Sequence, residues 1–299
     1  MVHLSTPGRD LGYFSTREVR PPLKPTTSTS RVIQFPKNHY ERPPNIAGGF
    51  KLLHLSHKAP GVRANLVGSD ITATDFNITI ETWDHSVLYE AEAQWIEHKF
   101  GSKECFFGQF DTRDVEEYPG AGREEGRQEW SKRCRFPDVF KGNEEPEVVC
   151  WLNRLDIETG WDRNFRISAY ATGIRRDSAA FHLDTWGDCV LNGAALCWIA
   201  FPKGKKKVDC GSFSTNDVRP WHDARSKNSA RIDFKKGWFD NPPTVLVSLN
   251  MFDMAGNSDL RIRVDATDVD KDGFTWHLDT WDDSTLYAAS ASWIALGFE

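Results

Sequence analysis

The stretch DTWDDSTLY, residues 279–287, has two close variants earlier in the chain, ETWDHSVLY at 81–89 and DTWGDCVLN at 184–192. A second tryptophan follows the first after twelve residues each time, pairing Trp83 with Trp95, Trp186 with Trp198 and Trp281 with Trp293. An isoleucine comes next in all three copies, at Ile96, Ile199 and Ile294. The copies also open alike, with GYFSTREV at 12–19, GQFDTRDV at 108–115 and GSFSTNDV at 211–218. A period of about one hundred residues is domain-sized, unlike the shorter unit of a solenoid. The chain therefore divides into repeats at 1–103, 104–206 and 207–299.

Within each repeat the apolar residues alternate with a period of two, the signature of half-buried strands. In PPTVLVSLNMF, Val245, Val247, Leu249 and Met251 share one face, and in LRIRVDA, Ile262 and Val264 oppose Arg261 and Arg263. No amphipathic helix of useful length is visible. Short strands broken by Asp, Asn and Gly turns predict an all-β chain of three tandem antiparallel β-sandwiches, about six strands each.

Parity separates the two tryptophans. Along GFTWHLDTW, Phe274, Trp276 and Leu278 form the apolar face and leave Trp281 on the other side; the same count sets Trp83 opposite Phe76, Ile78 and Ile80, and Trp186 opposite Phe181 and Leu183. The second tryptophan shares its face with alanines, as Trp293 does with Ala289 and Ala291, and is core. A large ring on a polar face is the informative exception. It either binds a ligand or packs on a neighbouring repeat, and at a junction it does both.

Composition excludes several classes. A net charge of -6 disfavours phosphate binding, so nucleic acid is not an expected partner. The basic run KGKKK at 203–207 lies between two repeats and reads as a solvated linker. No apolar run is long enough to cross a membrane as a helix, and the first residues show no secretory pattern, which predicts a cytoplasmic address or unconventional export. Six cysteines without a C-x-x-C pair read as reduced structural thiols, with no metal and no cofactor expected. The segment DVDKDGFTWHLD at 268–279 imitates a calcium loop, yet its flanks are strand-like and its counterparts lack the ligands, so a hairpin turn is the better account. A glycosidase needs two facing carboxylates, and only one acid per repeat recurs. No enzyme activity is expected.

The ordered segments FDNPPTVLVSL, DLRIRV, GFTWHLDTWDDSTLY and SWIAL of the third repeat, matched more loosely in the other two, resemble the H-type lectin domain. This is the family of galactose- and N-acetylgalactosamine-binding agglutinins that includes the C-terminal domain of discoidins. The resemblance spans essentially the whole chain. It implies trimeric six-stranded sandwiches with a sugar held at each junction, by an Asp and an Arg of one protomer and a Trp and a Tyr of the next. Carried onto this sequence, the Arg is Arg63, Arg166 and Arg261, each twenty positions before its Trp at 83, 186 and 281. The Tyr is Tyr89 and Tyr287, with Asn192 in its place in the middle repeat. The residue after Trp is Asp84, Gly187 and Asp282, where N-acetylgalactosamine binders often carry His. The acid is Asp223 in the third repeat and Glu125, or its neighbour Glu124, in the second; PPLKPTTSTS at 21–30 has none.

These residue types suit a galactose-type ring. An indole covers the apolar C–H face, contributing on the order of 1 kcal/mol beyond burial, while a carboxylate and a guanidinium hold vicinal hydroxyls through charge-assisted bonds. Strand alternation predicts exposure of the three arginines. Covalent linkage of three copies predicts an intrachain pseudo-threefold trimer with up to three inter-repeat sites acting by avidity on galactose or N-acetylgalactosamine glycans. Further association of chains and a role in cell adhesion fit the same picture. The competing reading is a structural or protein-binding array of sandwiches without sugar binding.

Overall fold

The computed structural model describes residues 11–115, 128–141, 145–160 and 163–297. Repeat 1 contributes strands β1 (Leu11–Ser15), β2 (Ser28–Gln34), β3 (Asn45–Leu55), β4 (Gly61–Ser69), β5 (Asp75–Glu81) and β6 (Leu88–His98). Repeat 2 contributes β7 (Phe106–Asp111), β8 (Glu129–Arg135), β9 (Glu147–Glu158), β10 (Phe165–Arg175), β11 (Ser178–Asp184) and β12 (Leu191–Phe201). Repeat 3 contributes β13 (Val208–Ser214), β14 (Ser229–Asp233), β15 (Thr244–Met254), β16 (Leu260–Thr267), β17 (Gly273–Asp279) and β18 (Leu286–Leu296). The chain is all-β and antiparallel, as its alternation predicts.

The sheets do not respect the repeats. Each is six-stranded and takes three strands from each of two repeats, in the orders β1-β6-β3-β16-β17-β14, β13-β18-β15-β10-β11-β8 and β2-β5-β4-β9-β12-β7. The joining pairs β3–β16, β15–β10 and β4–β9 link repeat 1 to 3, 3 to 2 and 2 to 1, so the sharing is cyclic. Strand edges that a lone sandwich would leave open are thereby paired.

Each repeat closes its two half-sheets around a Phe–Trp contact, Phe76 with Trp95 at 5.4 Å, Phe181 with Trp198 at 5.2 Å and Phe274 with Trp293 at 5.3 Å between ring centroids. These second tryptophans are buried, and the glycine of each opening motif explains how. A Cβ on Gly12 would lie 2.1 Å from the Trp95 indole, and one on Gly108 2.2 Å from that of Trp198. The rest of the motif is a capping box on a single 3-10 turn at Ser15–Glu18, Asp111–Asp114 and Ser214–Asp217. Its Thr16, Thr112 and Thr215 hydroxyls accept from the N–H of Ala91, Ala194 and Ala289. A motif at the start of each repeat thus fixes the strand that carries Tyr89, Asn192 or Tyr287.

A second apolar cluster, holding Ala47, Ile96, Trp151, Ile199, Leu246 and Ile294 among its members, draws on all three repeats. Trp151 is fully buried and donates to the Ser292 carbonyl, Cys197 lies 2.9 Å from the Gly48 carbonyl, and Gln94 donates to Ser248. The polar residues Glu90 and Gln94, which alternation turns away from their own sandwich core, are therefore buried against other groups of the molecule. All six cysteines are free thiols, and burial pushes Cys197 and Cys210 up to about 12. The segment 268–272 forms a hairpin turn between β16 and β17, in which the Asp270 carboxylate accepts from the N–H of Asp272 and Gly273.

Candidate functional site

The TW dipeptide builds the same local structure three times. Thr82, Thr185 and Thr280 are buried and donate to the carbonyls of Arg63, Arg166 and Arg261 at 2.7, 2.7 and 2.6 Å. Each bond ties the end of one strand to the Arg-bearing start of another, so the next residue, Trp83, Trp186 or Trp281, stands beside the guanidinium. The twenty-residue interval is the contour of this hairpin. The backbone then turns through positive φ at Asp84, Gly187 and Asp282, where Asp and Gly are the tolerated residues. None of the three tryptophans enters the buried core; all are half-buried.

All three arginines lie at seams between repeats, because the strands they begin are the joining strands. Directly across the seam, Arg63 faces Asp156, Arg166 faces Asp253 and Arg261 faces His54. Arg63 Nε donates to Asp156 Oδ1 at 2.8 Å, Arg166 Nε to Asp253 Oδ1 at 3.1 Å and Arg261 Nε to His54 Nε2 at 3.2 Å. Alternation predicts exposure for these arginines. Arg63 is instead 6 % exposed, and the other two are mostly covered, because their polar face meets a neighbouring repeat in place of water.

The remaining guanidinium nitrogens are also held. Arg63 bonds Ser86 and approaches Asp84 Oδ2 at 3.1 Å. Arg166 pairs with Asp188, and its guanidinium lies so close to Gly187 that a Cβ there would meet Nη1 at 2.6 Å. Arg261 bonds Asp259 at 2.9 Å and Ser284 at 3.0 Å, contacts Asp283, and lies 3.6 Å from Asp282. Burial favours the neutral form of Asp188 and Asp259, but the backbone amides and cations around them outweigh it and leave both carboxyls below their ordinary range. At Asp253 burial wins, and its carboxyl is raised despite Arg166 and the Trp186 indole that bonds it.

The division of residues across each seam differs from the one the resemblance implies. Arg and Trp come from one repeat; the Tyr, or the Asn in its place, comes from the other. Tyr89 stacks obliquely on His54 at 4.8 Å, so it joins Arg261 and Trp281 of repeat 3. Tyr287 flanks Asp253, where Arg166 and Trp186 of repeat 2 arrive, and borders the loop holding Asp223. That loop is fixed by buried Arg219, which donates to the Leu286 and Tyr287 carbonyls, and Trp221 lies 6.5 Å from the Tyr287 ring. Asp223 itself pairs with Arg225. Asn192 reaches Asp156 at 3.5 Å, beside Arg63 and Trp83, and Arg154 covers the Trp83 ring at 5.6 Å. Glu125 and Glu124 lie outside the described residues.

The sequence reading missed His54, Asp156 and Asp253. They precede their repeat's own arginine by nine, ten and eight positions, so no constant interval marks them, and they act on the arginine of another repeat. It also missed Trp221, 61 % exposed on the acid loop.

The three shared sandwiches bring a guanidinium, an indole and a carboxylate or imidazole together at each seam. The sequence profile of the H-type lectin domain matches residues 30–96, 131–201 and 229–296. The chain belongs to this family, and it is a carbohydrate-binding lectin built from three tandem H-type lectin domains. A comparison with curated proteins finds no significant match.

Proposed function

We propose that the protein binds galactose- or N-acetylgalactosamine-type glycans at its three seams. The observation that carries the reading is the recurrence, at every seam, of a half-buried Trp beside an anchored Arg, facing a polar or aromatic side chain of another repeat. Each guanidinium is held in place by protein acceptors before any sugar arrives, so little side-chain entropy is lost on binding. The indole offers an apolar face to the sugar's C–H groups, and the surrounding carboxylates accept from hydroxyls. Cyclic strand sharing supports the threefold arrangement in which the domains of this family assemble.

The seams are unequal. The seam of repeats 2 and 3 assembles Arg166, Trp186, Tyr287 and the Asp223 loop and is the most complete. The seam of repeats 3 and 1 has Arg261, Trp281 and Tyr89 but no acid in loop 21–28. The seam of repeats 1 and 2 has Asn192 where the others have Tyr. Arrangement on one molecule favours clustered glycans through effective concentration. Retention on galactose-agarose with release by free sugar tests the proposal. A chain with Trp83, Trp186 and Trp281 all replaced by Ala should fold and pass unretained. Wild-type protein that also passes unretained would favour a structural array.

A further inference from the structure

The residue facing each guanidinium is a carboxylate at two seams and an imidazole at the third. At the seam of repeats 3 and 1, His54 does three things at once. It accepts from Arg261 Nε at 3.2 Å, its ring lies 4.8 Å from Tyr89, and it meets Trp281 edge-on at 5.8 Å. It thus bridges the aromatic residue of repeat 1 and the guanidinium and indole of repeat 3. Asp253 plays the same part at its seam by accepting from both Arg166 and Trp186, and Asp156 by facing Arg63 and Asn192.

We infer that the residue opposite the arginine is the positioning residue of each glycan site, and that His54 makes the seam of repeats 3 and 1 the acid-sensitive one. This rests on the glycan-binding reading above. Neutral His54 presents an acceptor at Nε2 to the Arg261 N–H. Protonation converts that acceptor into a donor and sets two cations against each other. The groups around the imidazole are Arg261 on β16, Asp259 on the loop before it, Tyr89 and Glu90 on β6, and Trp281 after β17; Asp282 and Asp283 face Arg261, and His57 shares Asp259. Asp259 Oδ2 lies 3.5 Å from His54 Nε2 and already accepts from Arg261 Nη2 at 2.9 Å. An imidazolium drawn to that oxygen competes with the guanidinium for it, and the bridge between Tyr89 and Trp281 loosens. Burial, followed by Arg261, holds His54 below the usual histidine range against the pull of Asp259 and Glu90. The loss therefore falls in mild acid; at the other two seams a carboxylate stands opposite the arginine, so no protonation there sets two cations against each other.

The test isolates single seams by calorimetric titration with N-acetylgalactosamine and with galactose at pH 7.5 and about pH 5. A Trp83→Ala/Trp186→Ala chain retains the His54 seam, and a Trp83→Ala/Trp281→Ala chain retains the Asp253 seam. If only the neutral form is competent, affinity at the first falls roughly tenfold for one pH unit below the His54 midpoint, and the second loses less over the same unit. His54→Gln keeps an acceptor without a titrating group and should bind at pH 7.5 with a flat profile. Equal pH profiles for the two single-seam chains, or a His54→Gln profile that matches His54, overturn the inference. Absence of binding by the wild type at pH 7.5 overturns the glycan reading itself and this inference with it, so the two failures differ.

Discussion

At the scale of single residues, function follows from what each side chain is anchored to. Trp186 stands at the seam that also carries Tyr287, whereas Trp83 shares its seam with Asn192. Trp186→Ala should therefore lower galactoside affinity more than Trp83→Ala, read by calorimetry, and equal losses would contradict the ranking of seams. Asp259 gathers His57 through its backbone N–H at 3.0 Å and its ring at 2.7 Å, besides Arg261. Its carboxyl sits below the ordinary range, so its contribution to stability is present above the unfolded-state pKa and disappears as pH falls through the folded one. Asp259→Asn should lower the melting temperature at pH 7, with the gap from wild type closing as the pH falls below the ordinary carboxylate range. Gly108→Ala forces a methyl into the Trp198 ring and should cost about 1–3 kcal/mol in denaturant unfolding; unchanged stability would mean the indole has room to move.

At the scale of elements, the hairpin that ends in TW is what the sequence displays best. Parity alone sorts Trp281 from Trp276 and Trp293, because alternation is a property of one strand and its own pleat. The reason for the threonine is not visible in that pattern; it emerges when Thr280 Oγ1 donates to the Arg261 carbonyl. Thr280→Val removes the donor from a buried acceptor and should cost about 1–3 kcal/mol while weakening sugar binding at that seam alone. His54, Asp156 and Asp253 escaped notice because a strand's sequence does not name its partner in another repeat. Intervals of nine, ten and eight residues to the next arginine also hide the pattern behind unequal loops. The exposure expected for Arg63 failed for the same reason: a polar face turned away from its own sandwich meets a neighbour's carboxylate.

At the scale of the whole molecule, the three domains are not separable beads. Each sheet crosses a repeat boundary, and Trp151 fills a cluster to which every repeat contributes. Residues 207–299 alone would open the edges of β15 and β16, which in the chain pair with β10 and β3. Such a fragment should associate or stay unfolded, and sedimentation that found a stable folded monomer would show the seams to be dispensable. The number of the repeats, their β character and which tryptophans stay out of the core were legible in one sequence. The cyclic exchange of half-sheets was not, since period-two patterning specifies faces and leaves pairing open.

The central claim is that sugar is recognised by the seam indoles. Indole N–H resonances of the isotope-labelled chain, followed during titration with N-acetylgalactosamine or galactose, address it directly. Shifts at Trp83, Trp186 and Trp281, largest at Trp186, with Trp95, Trp198 and Trp293 unmoved, are the expected result. Saturable binding that leaves the three seam resonances in place would contradict the account.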